Sequence, residues 1–220
     1  MEEAEEIPLF FTLIPVLALL SNYDQETCLI NVGTEGGEYL GESLREVLPP
    51  KLPAVVLLQA GHRPTAANDK IVTRLTAPGV TVRVWGPRTE IENYLLDVDT
   101  IARVSGASPE VIAIKIAEAC VHLRDATRAA FISEWVASAP EGHGTEALAK
   151  AEHRFDELWK NQARRQELVR GTHVIKELNV WLESGGYRPI SAHRLAKAIR
   201  PQSLAPEVMQ LLFGIDEILG

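Results

Sequence analysis

The sequence predicts an α/β protein: a short parallel sheet flanked by helices, followed by a mostly helical C-terminal region. Two observations predict it. Three short apolar runs rich in β-branched residues lie between residues 27 and 85, separated by segments with helical spacing. From Asp97 onward every patterned segment has a helical period. The division therefore falls at residue 97, with an α/β core over 1–97 and a helical region over 98–220.

The elements follow in order. Residues 7–20 form an apolar stretch best read as a buried helix. Residues 27–33 are short, β-branched and end in glycine, as a buried strand would. Residues 38–48 place Leu40, Leu44, Val47 and Leu48 on one helical stripe, which Pro49 and Pro50 terminate. Residues 54–59 are a second buried strand, ending near the turn former Gly61. Residues 65–75 suit a helix closed by Pro78 and Gly79, and residues 80–85 alternate like a less buried strand.

Beyond Asp97, residues 98–104 suit a short helix. Ser108 and Pro109 then start a long one, as N-cap and first helical residue. A second long helix is expected over residues 145–169, and shorter ones over 174–182, 191–199 and 206–212. Alternating strands and helices in the first half make two βαβ units, so the sheet should be parallel with right-handed crossovers. Reactive residues in such sheets gather beyond the carboxyl ends of the strands, which directs attention to residues 33–37, 59–63 and 86–93.

Composition narrows the class. With 46% hydrophobic and 24% charged residues the chain has enough apolar material for a core, so disorder is not the default. Cys28 and Cys120 each sit in an apolar run with no partner at metal-ligand spacing, so buried free thiols are expected and nothing points to an oxidising compartment. The apolar stretch 7–20 has 14 residues, short of the span needed to cross a bilayer, and acids rather than basic residues precede it. A cytoplasmic location without membrane insertion is the expectation.

The net charge of −8 is unevenly spread. Residues 150–200 hold 11 Lys and Arg against 6 Asp and Glu, whereas residues 1–149 hold 11 against 21. The basic segment permits contact with DNA phosphates; a solvated helix face is the plainer alternative.

Two carboxylates, Glu90 and Glu92, stand two residues apart just beyond the third strand. In an extended chain they would share a face and hold one hard divalent cation. The alternative is that they begin a helix, where acids complement the positive end of its dipole. The glycine-rich residues 33–37 lack both the dinucleotide-binding and the P-loop spacing, so a strand-to-helix turn explains them. His62 reads as a turn residue, and Trp135, Phe155, Trp159 and Trp181 fall on apolar helical faces.

The segment Glu90-Ile-Glu-Asn-Tyr-Leu-Leu96, following a Val-x-Val-Trp strand, resembles the Toprim portion of OLD-type (overcoming lysogenisation defect) ATP-dependent endonucleases and related ATPase-linked proteins. The likeness extends to residues 55–64, placed where that family has a strand followed by Asp-x-Asp, and to residues 170–182, similar to its Gly-Lys helix start. It covers most of residues 27–215 as a pattern rather than an invariant motif.

The resemblance implies a DNA endonuclease site in which carboxylates hold Mg²⁺ or Mn²⁺, activating water and stabilising the leaving oxygen. Of the residues present, Glu90 and Glu92 would carry catalysis and Glu92 would hold metal. The departures fall on the essential positions. Gln59 and Gly61 stand in place of the Asp-x-Asp pair, Thr172 replaces the lysine, and the family's first strand with its glutamate is missing or shortened. The expectation is a Toprim-like domain with a degenerate metal motif and weak or absent cleavage, acting in DNA processing or defence against foreign DNA. Its expected partners are DNA along residues 150–200, an ATPase, or further copies of itself. The competing expectation is a non-catalytic interaction or dimerisation module.

Overall fold

The computed structural model describes residues 28–32, 54–76, 80–139 and 144–210. The helices expected over 7–20 and 38–48 lie outside these residues.

Three strands, β1 (Cys28–Val32), β2 (Ala54–Gln59) and β3 (Val80–Trp85), form a parallel sheet in the order β1-β2-β3. Its register sets Cys28 beside Ala54 and Ala54 beside Val80, so the carboxyl ends of β2 and β3 finish level. Helix α1 (Thr65–Leu75) covers one face. Ile71 and Leu75, one turn apart, bury against Val56 and Leu58, which alternation along the strand places on the same side. Partly buried Val72, Val80 and Val82 complete this small cluster.

The rest of the described chain is helical, with α2 (Val98–Ser105), α3 (Pro109–His122), α4 (Arg124–Ser138) and α5 (Thr145–Trp159) coming first. They are followed by α6 (Gln162–Leu168), α7 (Gly171–Ser184) and α8 (Ala192–Ala198), and a last helical run covers residues 206–210. Local signals set the boundaries. Asp97 accepts from the Thr100 amide at 2.9 Å to cap α2, and Gly106, at φ +87°, ends it in the left-handed conformation that glycine adopts without steric cost. Ser108 caps α3 through the Val111 amide.

The long helix expected over 145–169 is two helices. Asn161 intervenes, its Oδ1 accepting from the amides of Ala163 (2.9 Å) and Arg164 (3.4 Å) and starting α6 afresh. Helix α7 begins at Gly171, three residues ahead of the expected start.

One large core holds the helices together, with Phe155, Ile101, Ile112, Leu178, Leu182 and Leu195 fully enclosed. Truncating one such residue to alanine costs about 2–5 kcal/mol. Phe131, Phe155 and Trp159 run through it as a chain of aromatic contacts, with centroids 5.6 and 5.2 Å apart. This core also takes in Ile91, Tyr94, Leu95 and Leu96, so apolar packing of the helical half reaches back across residue 97 towards the sheet. Among the described residues no helix is long and apolar enough to cross a membrane.

Candidate functional site

The carboxyl ends of β2 and β3 open onto a cavity of about 270 Å³, closed on its far side by α4, α5 and α6. This is where an open parallel sheet leaves a crevice for a ligand. Gly61, at φ +56°, takes a left-handed turn directly after β2, a conformation that would strain any residue with a Cβ. The turn carries His62 beneath the ring of Phe131, with centroids 5.1 Å apart. His62 is only 3% exposed and its Nε2 has no hydrogen-bond partner. Burial, and secondarily the positive charge of Arg170, lower its pKa from 6.5 to about 4, so the imidazole is neutral at pH 7. A buried polar atom without a partner costs about 1–3 kcal/mol.

The neighbouring Arg63 is fixed in place. Its Nε donates to Asn68 Oδ1 at 2.8 Å and its Nη2 donates to the Gln59 carbonyl, while Asn68 Nδ2 donates to the Ala60 carbonyl at 3.3 Å. Arg154 from α5 and Arg164 from α6 reach the same cavity, so three arginines line it against one glutamate, Glu167. Half-buried Trp135 also lines it, stacked on Phe131 at 5.5 Å with planes 20° apart.

Beside the cavity, residues 88–94 are bolted to the connection between α6 and α7. Thr89 donates through its amide to the Glu167 carbonyl (3.0 Å) and through its hydroxyl to the carbonyls of Glu167 (2.8 Å) and Leu168 (3.0 Å). Asn93, fully buried, is saturated. Its Oδ1 accepts from the amides of Glu90 (3.0 Å) and Gly171 (3.1 Å), and its Nδ2 donates to the carbonyls of Gln166 (2.8 Å) and Val169 (2.7 Å). The contact is so close that a Cβ on Gly171 would fall 2.6 Å from the Glu92 carbonyl carbon and nearer still to the Asn93 nitrogen.

Glu90 and Glu92 lie on this bolt. They begin a helix, a 3₁₀ turn over Ile91–Leu95 with Glu90 as its N-cap, and do not form the extended pair that would present both acids on one face. Glu90 Oε2 accepts from the Thr172 amide (3.1 Å) and hydroxyl (2.8 Å), and Oε1 lies 3.7 Å from Arg170 Nε. Burial raises the Glu92 pKa, an effect that the charge of Glu90 adds to.

The described residues offer Mg²⁺ or Mn²⁺ no ready set of carboxylates. Among them Glu90 is engaged, the end of β2 offers Gln59 and Gly61, and the charged side chains lining the cavity are mainly arginines, which repel a cation. Among the described residues no three His, Cys, Asp or Glu side chains gather as a metal site. Cys120 is a buried free thiol whose pKa burial pushes up to about 11.

His62 lies in the turn after β2 that the sequence predicts and Trp135 packs on the core as its helical face predicts, but no local pattern joins either to Arg154 and Arg164. The turn after β2 was a visible signal; the partners, 73 to 102 residues further on, had none. Compared with protein-family models, curated proteins and solved structures, the chain matches none.

Proposed function

We propose that this chain is a Toprim-like domain, related to those of OLD-type nucleases, which serves DNA processing or defence against foreign DNA by holding nucleic acid without metal-dependent cleavage. One observation carries the reading: three arginines and a buried neutral histidine line the strand-end cavity, where a cleavage centre needs carboxylates. Arginine forks match phosphate oxygens, and the basic run 150–200, which contributes Arg154 and Arg164, extends the favourable potential along the helical half.

Fluorescence anisotropy with short DNA across a salt series, paired with nicking assays in Mg²⁺ and Mn²⁺, tests both halves of the proposal. Binding that weakens steeply with salt, with no metal-dependent nicking, is expected. Nicking that disappears in Glu92→Ala while the fold persists would overturn the non-catalytic part, and absence of DNA binding at low salt would overturn the other.

The competing reading, an interaction or dimerisation module, draws on a separate observation. Helix α3 exposes Ile114 and Val121, each 55% accessible, and its neighbour α7 exposes Val180 at 66%. Light scattering coupled to size exclusion tests it, and a strict monomer at high concentration would count against it.

A further inference from the structure

We propose that the strand-end cavity is a pocket for a single nucleotide, with Arg154 and Arg164 taking the phosphate and Trp135 lying against the base. The inference rests on the DNA-holding reading above and specifies what part of the nucleic acid the chain takes.

Size is the first argument. A cavity of about 270 Å³ is of the size to take one base with its sugar and phosphate. Its lining also combines the two chemistries that a nucleotide presents. Trp135 is held by stacking on Phe131, and an aromatic plane backed in this way accepts any base by its face. Arg154 and Arg164 bring cationic groups to the same cavity.

The cations are available for exchange. Arg154 pairs only loosely with Glu157, at 3.7 Å, and Arg164 pairs with Glu167 at 2.6 Å. Both are pairs one turn apart on a single helix with half-exposed arginines, the kind of ion pair that water screens and a phosphate readily replaces. Helix α1 starts at the same cavity with Pro64 and Thr65 in the wall, and no side chain caps its first amides.

His62 lines the cavity and is almost wholly buried, and its Nε2, without a partner, is itself enclosed, so the ring serves as part of the wall under Phe131 while the exposed arginines and Trp135 supply the contacts.

Isothermal titration of the full chain with dAMP, deoxyadenosine and inorganic phosphate tests the pocket. Binding of dAMP should be at least about tenfold tighter than binding of either fragment, because only the nucleotide engages both the indole and the arginines. Arg164→Gln, a surface change that leaves the core untouched, should weaken dAMP by about fivefold or more, and Trp135→Leu by a similar factor. Single-stranded oligonucleotides with and without a 5′-phosphate identify the source. A preference of about tenfold for the phosphorylated strand marks a strand end, and equal binding of the two beside intact dAMP binding marks a free nucleotide; either result supports the pocket. The proposal falls if dAMP shows no binding at millimolar concentration, if inorganic phosphate binds as tightly as dAMP, or if Arg154→Gln and Arg164→Gln both leave dAMP affinity unchanged. DNA binding without dAMP binding would sink the pocket alone, whereas dAMP binding without any DNA binding would sink only the DNA-holding function.

Discussion

Replacing Asn93 by alanine isolates the contact on which the junction between sheet and helices depends. The substitution removes four hydrogen bonds, two accepted by Oδ1 and two donated by Nδ2. Two of them, to Val169 and Gly171, are buried, and two, to Glu90 and Gln166, are partly buried. At about 1 kcal/mol for each bond, with more where a buried group is stranded, the loss comes to about 4 kcal/mol. In urea, with a slope of about 2 kcal/mol per molar, the unfolding midpoint should fall by about 2 M. Asn93→Asp sharpens the test. It keeps the acceptor for both amides but turns a carboxylate towards the carbonyls of Gln166 and Val169, so it should not restore stability. Where Asn93→Ala is too unstable to measure, Thr89→Val supplies a milder version, losing one hydroxyl donor shared between two carbonyls for about 1 kcal/mol. A midpoint shift below about 0.5 M for Asn93→Ala, or full recovery by aspartate, would refute the reasoning.

Two further outcomes follow from the same geometry. Gly171→Ala places a methyl group against fixed backbone at Glu92 and Asn93, so a loss of about 2 kcal/mol is expected despite the better helix propensity of alanine; differential scanning fluorimetry should show a melting point lower by about 4–8 °C, and an unchanged or higher value would contradict the close approach. His62 has a folded pKa lowered to about 4, so its contribution is complete above pH 6.5 and is lost as pH falls from there through 4. The linked loss is on the order of 3 kcal/mol. His62→Phe, which keeps an aromatic ring under Phe131 but cannot titrate, should therefore lose less stability than the natural chain between pH 7 and pH 4, and parallel curves would show that the imidazole is not the titrating group.

Periodicity and punctuation made most of the fold legible. The strands over 54–59 and 80–85 and helix α1 were readable because alternation, helical spacing and flanking turn residues agree there. The break at Asn161 is not legible in the sequence because residues on both sides continue a plausible helical stripe, and an asparagine cap outweighs that stripe only once Ala163 and Arg164 present their amides. The site was less legible for a different reason. Glu90 and Glu92 are conspicuous in the sequence because acids near a strand end are a local signal, yet the occupation of Glu90 depends on Arg170 and Thr172, some 80 residues away. The assembly of His62 with Trp135, Arg154 and Arg164 is wholly tertiary, and no local pattern encodes it.

These long-range bonds bear on how loss-of-function variants of this chain are to be interpreted. Glu90 receives two hydrogen bonds from Thr172 and faces Arg170, and the turn it caps carries Asn93 into the junction. A variant at Glu90 would therefore loosen the wall that holds Thr89 against Glu167 and Leu168, and with it the cavity they border. Reduced binding in such a variant would follow whether or not the carboxylate ever meets a ligand, so it cannot assign Glu90 a chemical role. Arg164 is different. Its side chain is 48% exposed and its pairing with Glu167 joins residues of one short helix, so its replacement leaves every bond of the junction in place. An effect at Arg164 without a fall in melting temperature is the observation that separates recognition from scaffolding here, because it changes the charge of the cavity without changing what builds it.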